Sequence, residues 1–160
     1  MMDGHDIVER YEALDANRMN FKTHWQEIAE YMVPTKASIV TTGAAGEKRT
    51  SKIYDGTAIR SLRILANGLY GHLTSPSAPW FALTVKDKRL GSVDGVKWWL
   101  MDTTQRMLSA INNSNFPLAS QEVYTDLGAF GTAGLYCSSG RDTLLNFTSI
   151  PVGELAVAED

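Results

Sequence analysis

The chain has 160 residues, of which 44% are hydrophobic and 21% are charged, and its formal net charge is −3. This composition is typical of a globular protein and excludes a chain that is disordered for lack of hydrophobic residues. The slightly acidic balance argues against a wholly basic, nucleic-acid-binding surface, although it leaves room for a local basic patch. A single cysteine, Cys137, excludes an intrachain disulfide and a cysteine metal cluster, which fits a reducing compartment.

Neither a leader nor a site of chemistry stands out. The charged N-terminus has no apolar leader core, and no apolar run approaches the roughly 18 residues of a membrane span, so we expect a soluble chain with no membrane partner. His5, His24 and His72 lack metal-ligand spacing. Cys137, in an apolar stretch, is predicted to be a small core residue. We therefore expect no enzyme and no catalytic, cofactor or metal site.

The first half of the chain predicts two helices and a loop. Large residues recur every three or four positions from Ile7 to Met32 and predict one long helix, with Arg18 inside its apolar stripe. Pro34 ends this helix. Residues 37–52 are small, polar and glycine-containing, which predicts a flexible exposed loop. A second helix begins around Asp55 to Thr57, where an oxygen side chain can cap it, and runs to Leu73.

The second half predicts two more helices and a small sheet. Residues 80–85, WFALTV, alternate like a short strand, and helices follow near residues 96–112 and from residue 116, with Asn115 as a candidate cap. The segments GLYCSS, LLNFTSI and ELAVAE then predict three short strands. The class is therefore α+β, mainly helical over residues 1–132 with about four helices, followed by a small antiparallel or mixed sheet over residues 133–160. Since the last strand has no closing turn, we expect the front part of a longer chain.

Basic residues concentrate in one stretch of the sequence. Between residues 47 and 63 there are five basic residues, which we call the basic cluster, and only two acidic residues, Glu47 and Asp55. Residues 116–160, by contrast, carry one arginine and six acidic residues. A solvated face, a nucleic-acid contact and an acidic neighbouring surface all fit such a cluster. One hypothesis is therefore a small DNA-binding accessory protein that uses residues 41–52. The members of the basic cluster are Lys48, Arg49, Lys52, Arg60 and Arg63.

The stretch LTSPSAPWF, residues 73–81, places two aromatic side chains behind a rigid turn. Pro76 and Pro79 restrict the backbone after the second helix and lower the entropic cost of ordering Trp80 and Phe81. These aromatic residues are predicted to be anchors, either in the core of the chain or against a neighbouring subunit.

Several segments together resemble one family. NFKTHWQEIAEYMVP, GEKRTSKIYDGTAIRSLRILANGLYGHLTSPSAPWFAL, SNFPLASQEVYTDLGAFGTAGLY and FTSIPVGELAVAED are similar, in order and spacing, to the start of the head-to-tail connecting (portal) proteins of short-tailed bacteriophages. The resemblance implies a structural, non-enzymatic subunit of a ring of twelve copies at a capsid vertex, through which DNA is packaged and ejected. It also implies that residues 1–160 are the N-terminal wing, which is not the main contact of the DNA in the channel.

The same resemblance implies partners and a location. The complete ring would contact capsid, scaffolding, tail adaptor and terminase proteins. The expected location is the virion, at the capsid vertex, and the host cytoplasm during assembly.

Overall fold

The structure of the chain is a computed structural model that describes residues 3–41, 46, 48–140 and 143–158. These residues form six α-helices and one two-stranded sheet, so the predicted α+β class is confirmed. The helices are α1 (Gly4–Asn17), α2 (Met19–Met32), α3 (Thr57–Leu73), α4 (Lys88–Gly91), α5 (Asp94–Asn112) and α6 (Phe116–Phe130). The strands are β1 (Gly134–Ser139) and β2 (Leu145–Ile150), and short 3₁₀ helices span Pro34–Lys36 and Val152–Glu154.

Two compact units divide the chain. The first unit contains Met1–Leu65, Thr125–Gly134 and Ile150–Asp160, and the second contains Ala66–Tyr124 and Leu135–Ser149. Both α3 and α6 contribute residues to each unit, because the chain passes from one unit to the other within these helices.

The core of the first unit forms where α2, the end of α6 and the second 3₁₀ helix meet. Ala29, Phe130 and Val152 are buried there, and Trp25 and Ile39 pack against them. Trp25 and Ala29 are four residues apart in α2, the spacing that places side chains on one face of a helix. The predicted apolar face of α2 is therefore confirmed only in part: Trp25 and Ile28 pack against the core, but Phe21 is 60% exposed and the buried residues of α2 are Gln26 and Ala29.

A glycine allows α6 to approach α3 closely in the same unit. A Cβ atom at Gly128 would lie 2.9 Å from Cδ1 of Leu62 and 3.2 Å from Cδ2 of Leu65. A larger residue would displace Leu62, whose side chain is buried. Gly128 therefore supports the burial of this face of α3.

The prediction of one long N-terminal helix is wrong at Arg18. The helix stops at Asn17 and restarts at Met19, and Arg18 between them has φ −97° and ψ 9°. Arg18 is 8% exposed, and its guanidinium group donates hydrogen bonds to the carbonyl groups of Val152 (3.0 Å), Gly153 (2.7 Å) and Leu155. Its partners lie more than 130 residues further along the chain, so the local periodicity contains no sign of the break.

The predicted strand at residues 80–85 is also wrong, although its alternation is real. Exposure alternates along the segment, but no strand forms there. Instead the backbone N–H of Leu83 donates to Oγ1 of Thr104 (3.1 Å), and this hydroxyl donates to the carbonyl of Leu100 in α5 (2.7 Å). The alternation therefore reflects packing of one side of an extended segment against a helix.

The start of α6 differs from the prediction in its cap. Oγ of Ser114 accepts the N–H of Phe116 at 3.1 Å. The side chain of Asn115, which was the candidate cap, instead pairs with the backbone of Phe147 in β2, with both hydrogen bonds at 2.7 Å. Asn115 therefore ties the start of α6 to the sheet within the second unit.

The first two predicted strands are confirmed as β1 and β2, and the third is wrong. ELAVAE, residues 154–159, begins at the end of the second 3₁₀ helix, and its described residues form no strand. The carbonyl groups of Gly153 and Leu155 are occupied by Arg18 rather than by a neighbouring strand. Gly140 sits at the hairpin end of β1, where a Cβ atom would collide with the carbonyl oxygen of Thr143.

Candidate interaction surfaces

The LTSPSAPWF stretch contributes to an aromatic cluster in the second unit. The ring of Trp80 lies 4.8 Å from the ring of Phe81 in an edge-to-face arrangement and stacks on Phe116 at 5.8 Å with an interplanar angle of 8°. Phe116 in turn meets Phe147 edge to face at 5.0 Å. We call these four residues the aromatic cluster. Trp80 keeps 37% of its surface exposed, so a contact with a neighbouring subunit stays a prediction.

The two prolines of the stretch lie on the surface of a turn. Pro76 and Pro79 are exposed, and the hydroxyl groups of Ser75 and Ser77 share a hydrogen bond of 2.8 Å between them. This local bond and the fixed proline φ angles restrict the turn.

A groove lies between residues 79–83 and α5 in the second unit. Its volume is about 370 Å³, and its lining is mainly apolar. Such a groove fits an apolar side chain better than a charged ligand. Its lining includes Pro79, Phe81, Leu83, Leu100, Thr104 and Leu108.

The structure separates the basic cluster into engaged and free residues. Nζ of Lys52 lies 2.5 Å from Oε2 of Glu30, and the guanidinium group of Arg49 donates to the carbonyl of Thr35 at 3.0 Å. Within the first unit, these residues therefore connect their segment to α2 and to the first 3₁₀ helix. By contrast, Lys48, Arg60 and Arg63 are exposed and form no ion pair within the described part of the chain.

Neighbouring hydrogen-bond donors lower the pKa values of three carboxyl groups. The hydrogen bond from Lys52, followed by that from the Gln26 amide, lowers the pKa of Glu30, and Glu30 raises the pKa of Lys52. The backbone N–H of Thr57 lowers the pKa of Asp55, whose Oδ1 accepts it at 2.5 Å; the predicted cap near Asp55 is thus confirmed. Asp15 carries the third such carboxyl group.

The pKa of Asp15 is lowered by Lys22 and then by Arg18. Its carboxylate oxygens lie 2.5 Å from Nζ of Lys22 and 2.6 Å from a guanidinium nitrogen of Arg18. Asp15 therefore balances the positive charge of Arg18, close to the buried hydrogen bonds of the guanidinium group.

Sequence reasoning missed a buried ion pair. Asp126, in the apolar second half of α6, is fully buried, and both of its carboxylate oxygens accept hydrogen bonds from Nζ of Lys36, at 2.6 and 2.7 Å. The one available signal was a single acidic residue in the otherwise uncharged run VYTDLGAF. Such a carboxylate requires a charged or hydrogen-bonding partner.

An amide clamp on the start of the loop was missed as well. The Gln26 side chain donates to the carbonyl of Ala37 (3.1 Å) and accepts the N–H groups of Ile39 (2.9 Å) and Val40 (3.2 Å). This part of the segment predicted as a flexible loop, residues 37–52, is hydrogen-bonded to α2. Residues 42–45 and 47 lie outside the described residues.

Other candidate sites are limited. Cys137 is exposed on β1, so its prediction as a core residue is wrong. Among the described residues, no group of three or more His, Cys, Asp or Glu side chains could hold a metal ion. No helix in this part of the chain is long and apolar enough to cross a membrane.

Comparison with known proteins identifies the family. The model of the bacteriophage head to tail connecting protein matches residues 5–160. The chain belongs to this family. Its relatives include a "Probable portal protein" of Bordetella phage BPP-1, 37% identical over 155 residues, and a "Portal protein" of Salmonella phage epsilon15, 28% identical over 153 residues. These matches cover 96% and 95% of the chain.

The head to tail connecting family is the one that the sequence segments resemble, so that prediction is confirmed. The chain spans 28% of the length of each of these two relatives. Nothing in these matches supports the alternative of a DNA-binding accessory protein.

Proposed function

We propose that the protein carrying this chain is a structural subunit of a portal ring at the capsid vertex of a bacteriophage, through which DNA is packaged and ejected. The observation that carries this proposal is the family match over residues 5–160, together with two relatives whose names include "portal protein". The proposed role is scaffolding rather than catalysis, because the family is a family of connecting proteins.

Within the ring, residues 1–160 form the wing, away from the DNA that passes through the channel. The sequence resemblance implies this position. The free side chains of Lys48, Arg60 and Arg63, and the partly exposed ring of Trp80, supply polar and apolar surface for neighbouring proteins. The ring of twelve copies would meet capsid, scaffolding, tail adaptor and terminase proteins through the whole portal. It would assemble in the host cytoplasm and remain in the virion.

The native mass of the full-length protein, measured together with particle images, tests the ring. We expect closed rings of about a dozen copies, since a heterologous contact closes into a ring when its rotation permits. A full-length protein that stays a monomer or a dimer at high concentration would overturn the proposal.

A label on Cys137 tests the wing position. Cys137 is exposed and is the one cysteine of the 160 residues. A full-length variant that keeps Cys137 as its single cysteine can carry a heavy-atom cluster on it, and images of the ring then give its radius. We expect the label at the outer edge. A label at the channel wall would contradict the wing position while leaving the ring intact.

A further inference from the structure

Helix α1 has an apolar stripe that the described chain leaves about half exposed. Ile7, Val8 and Tyr11 are 56%, 56% and 43% exposed, and α1 contains no buried residue. Its N-terminus is well formed, because Asp3 and Asp6 make a capping box. However, a helix of 14 residues is marginal in water and takes most of its stability from packing of its apolar face. The stripe is therefore a surface that a partner would cover.

One exposed acidic side chain, Glu12, borders this stripe. Helix α1 carries four acidic residues and one arginine, Arg10. Glu12 follows Val8 by four residues, so it lies beside Val8 at one edge of the stripe. Glu12 is exposed and forms no ion pair with the described residues. A partner for α1 should therefore be both apolar and basic.

The first part of α3 presents a face with these two properties. Arg60, Arg63 and Ile64 are spaced so that they share one side of the helix, opposite the buried Leu62. Ile64 is 66% exposed, and the two arginines are exposed without an ion pair in the described part of the chain. An apolar side chain framed by two guanidinium groups is the complement of the stripe on α1.

We propose that α1 of one copy docks on the Arg60–Arg63–Ile64 face of α3 in a second copy of the chain. The partner is a second copy because both halves of the contact are present on one chain and are complementary in charge. Since the two faces differ, the contact is heterologous and generates a ring or an open chain of subunits rather than a two-fold dimer. This inference rests on the proposed ring and names the surfaces that join its neighbouring subunits.

Charge reversal in the full-length protein tests the contact. Glu12→Lys and Arg63→Glu each place like charges opposite each other, and each should raise the concentration for half-maximal ring assembly about tenfold or more. The double variant Glu12→Lys, Arg63→Glu should restore assembly. An equimolar mixture of the two single variants should also restore it, because a ring in which the two variants alternate has opposite charges or the native pair at every contact.

The controls carry the same charge changes elsewhere. Glu9→Lys lies on the side of α1 opposite Tyr11, and Lys86→Glu lies in a surface segment that is far from both helices in the sequence; both side chains are exposed. These variants should assemble like the wild type. If either single variant loses helix content, Glu12→Gln and Arg63→Gln replace the reversals, with a smaller expected effect in the same direction.

Each outcome separates the hypotheses. If the wild-type protein forms no ring, the proposed function fails. If it forms rings and the reversals leave assembly unchanged, or if the controls impair assembly equally, only the docking contact is overturned. If assembly is restored in the double variant but not in the mixture, Glu12 and Arg63 interact within one chain, and the docking contact between copies is overturned. If Arg63→Glu lowers duplex DNA binding without affecting assembly, the α3 face binds DNA and the proposal is wrong.

Discussion

In addition to its apolar core, the first unit is held together by buried charged side chains, whereas the second is held together around Phe116 by aromatic rings. In the first, Arg18 binds the carbonyl groups of a 3₁₀ helix and Lys36 binds the buried Asp126. In the second, Phe116 lies between the rings of Trp80 and Phe147.

The two kinds of fastening respond differently to change. Hydrogen bonds to buried charges depend on direction and on protonation, and they leave an unpaired charge when one partner is lost. Ring packing depends on volume and is indifferent to pH. Substitutions in each unit should therefore differ in size, in rescue and in pH dependence.

The largest expected effect is the loss of the central ring. Phe116→Ala removes a buried side chain and two ring contacts, and it should lower the free energy of unfolding by about 3–5 kcal/mol. Phe21→Ala, which truncates a phenylalanine that is 60% exposed and has one ring contact, with Trp25 at 5.9 Å, is the matched control and should cost about 1 kcal/mol or less. Urea denaturation measures both values. Equal losses would show that the aromatic cluster does not hold the second unit together.

The next effect should come from the buried ion pair, and a second substitution should reverse much of it. Lys36→Met leaves the fully buried Asp126 without its lysine and should cost about 3 kcal/mol. The double variant Lys36→Met, Asp126→Leu also removes the buried carboxylate that has lost its lysine and should recover most of that loss.

Urea denaturation of the wild type, Lys36→Met, Asp126→Leu and the double variant forms a double-mutant cycle. Lys97→Met breaks an exposed pair with Asp94 and is the control, with an expected cost below about 1 kcal/mol. A double variant that is no more stable than Lys36→Met would assign the loss to packing of Lys36 rather than to charge.

A smaller effect should follow when residue 18 keeps its positive charge but loses the planar guanidinium group. Arg18→Lys retains the positive charge next to Asp15, but an ammonium group cannot reproduce the bonds of the guanidinium group to several carbonyl groups. We expect a loss of about 2 kcal/mol and faster amide exchange at residues 152–155. Arg10→Lys on α1 is the control and should change neither. Unchanged exchange at residues 152–155 would show that the arginine is not what holds this 3₁₀ helix.

The same contrast explains which parts of the fold could be predicted. Helices α3, α5 and α6 and strands β1 and β2 follow from patterns within each segment, and the structure confirms them. The break at Arg18 and the absence of a third strand depend on partners 134 and more residues away, which no local pattern contains. The alternation of residues 80–85 was interpreted as a strand, but the surface that the segment packs against is a helix, and the sequence does not distinguish a helix from a strand in that role.

The family and the basic residues of the candidate surfaces could also be predicted in part. The family was predicted from the segments themselves, because their order and spacing span most of the chain. The basic cluster was visible in the sequence, but its division was not: Lys52 is engaged by Glu30, 22 residues earlier, whereas Arg60 and Arg63 remain free. Charge counts along a sequence show where basic residues concentrate, and only the fold shows which of them are neutralised.

The smallest effect, a pH dependence, should appear in the first unit alone. Glu30 has a pKa below its ordinary value of 4.5, so its ion pair with Lys52 stabilises the chain above about pH 4.5 and is lost as the pH falls through the folded-state pKa. The Tm of Glu30→Gln should therefore lie below that of the wild type at pH 7, and the difference should shrink as the pH falls below 4.5. Glu122→Gln, an exposed carboxylate on α6, should show no such convergence. A difference that persists at pH 3 would mean that Glu30 stabilises the unit through packing rather than through its charge.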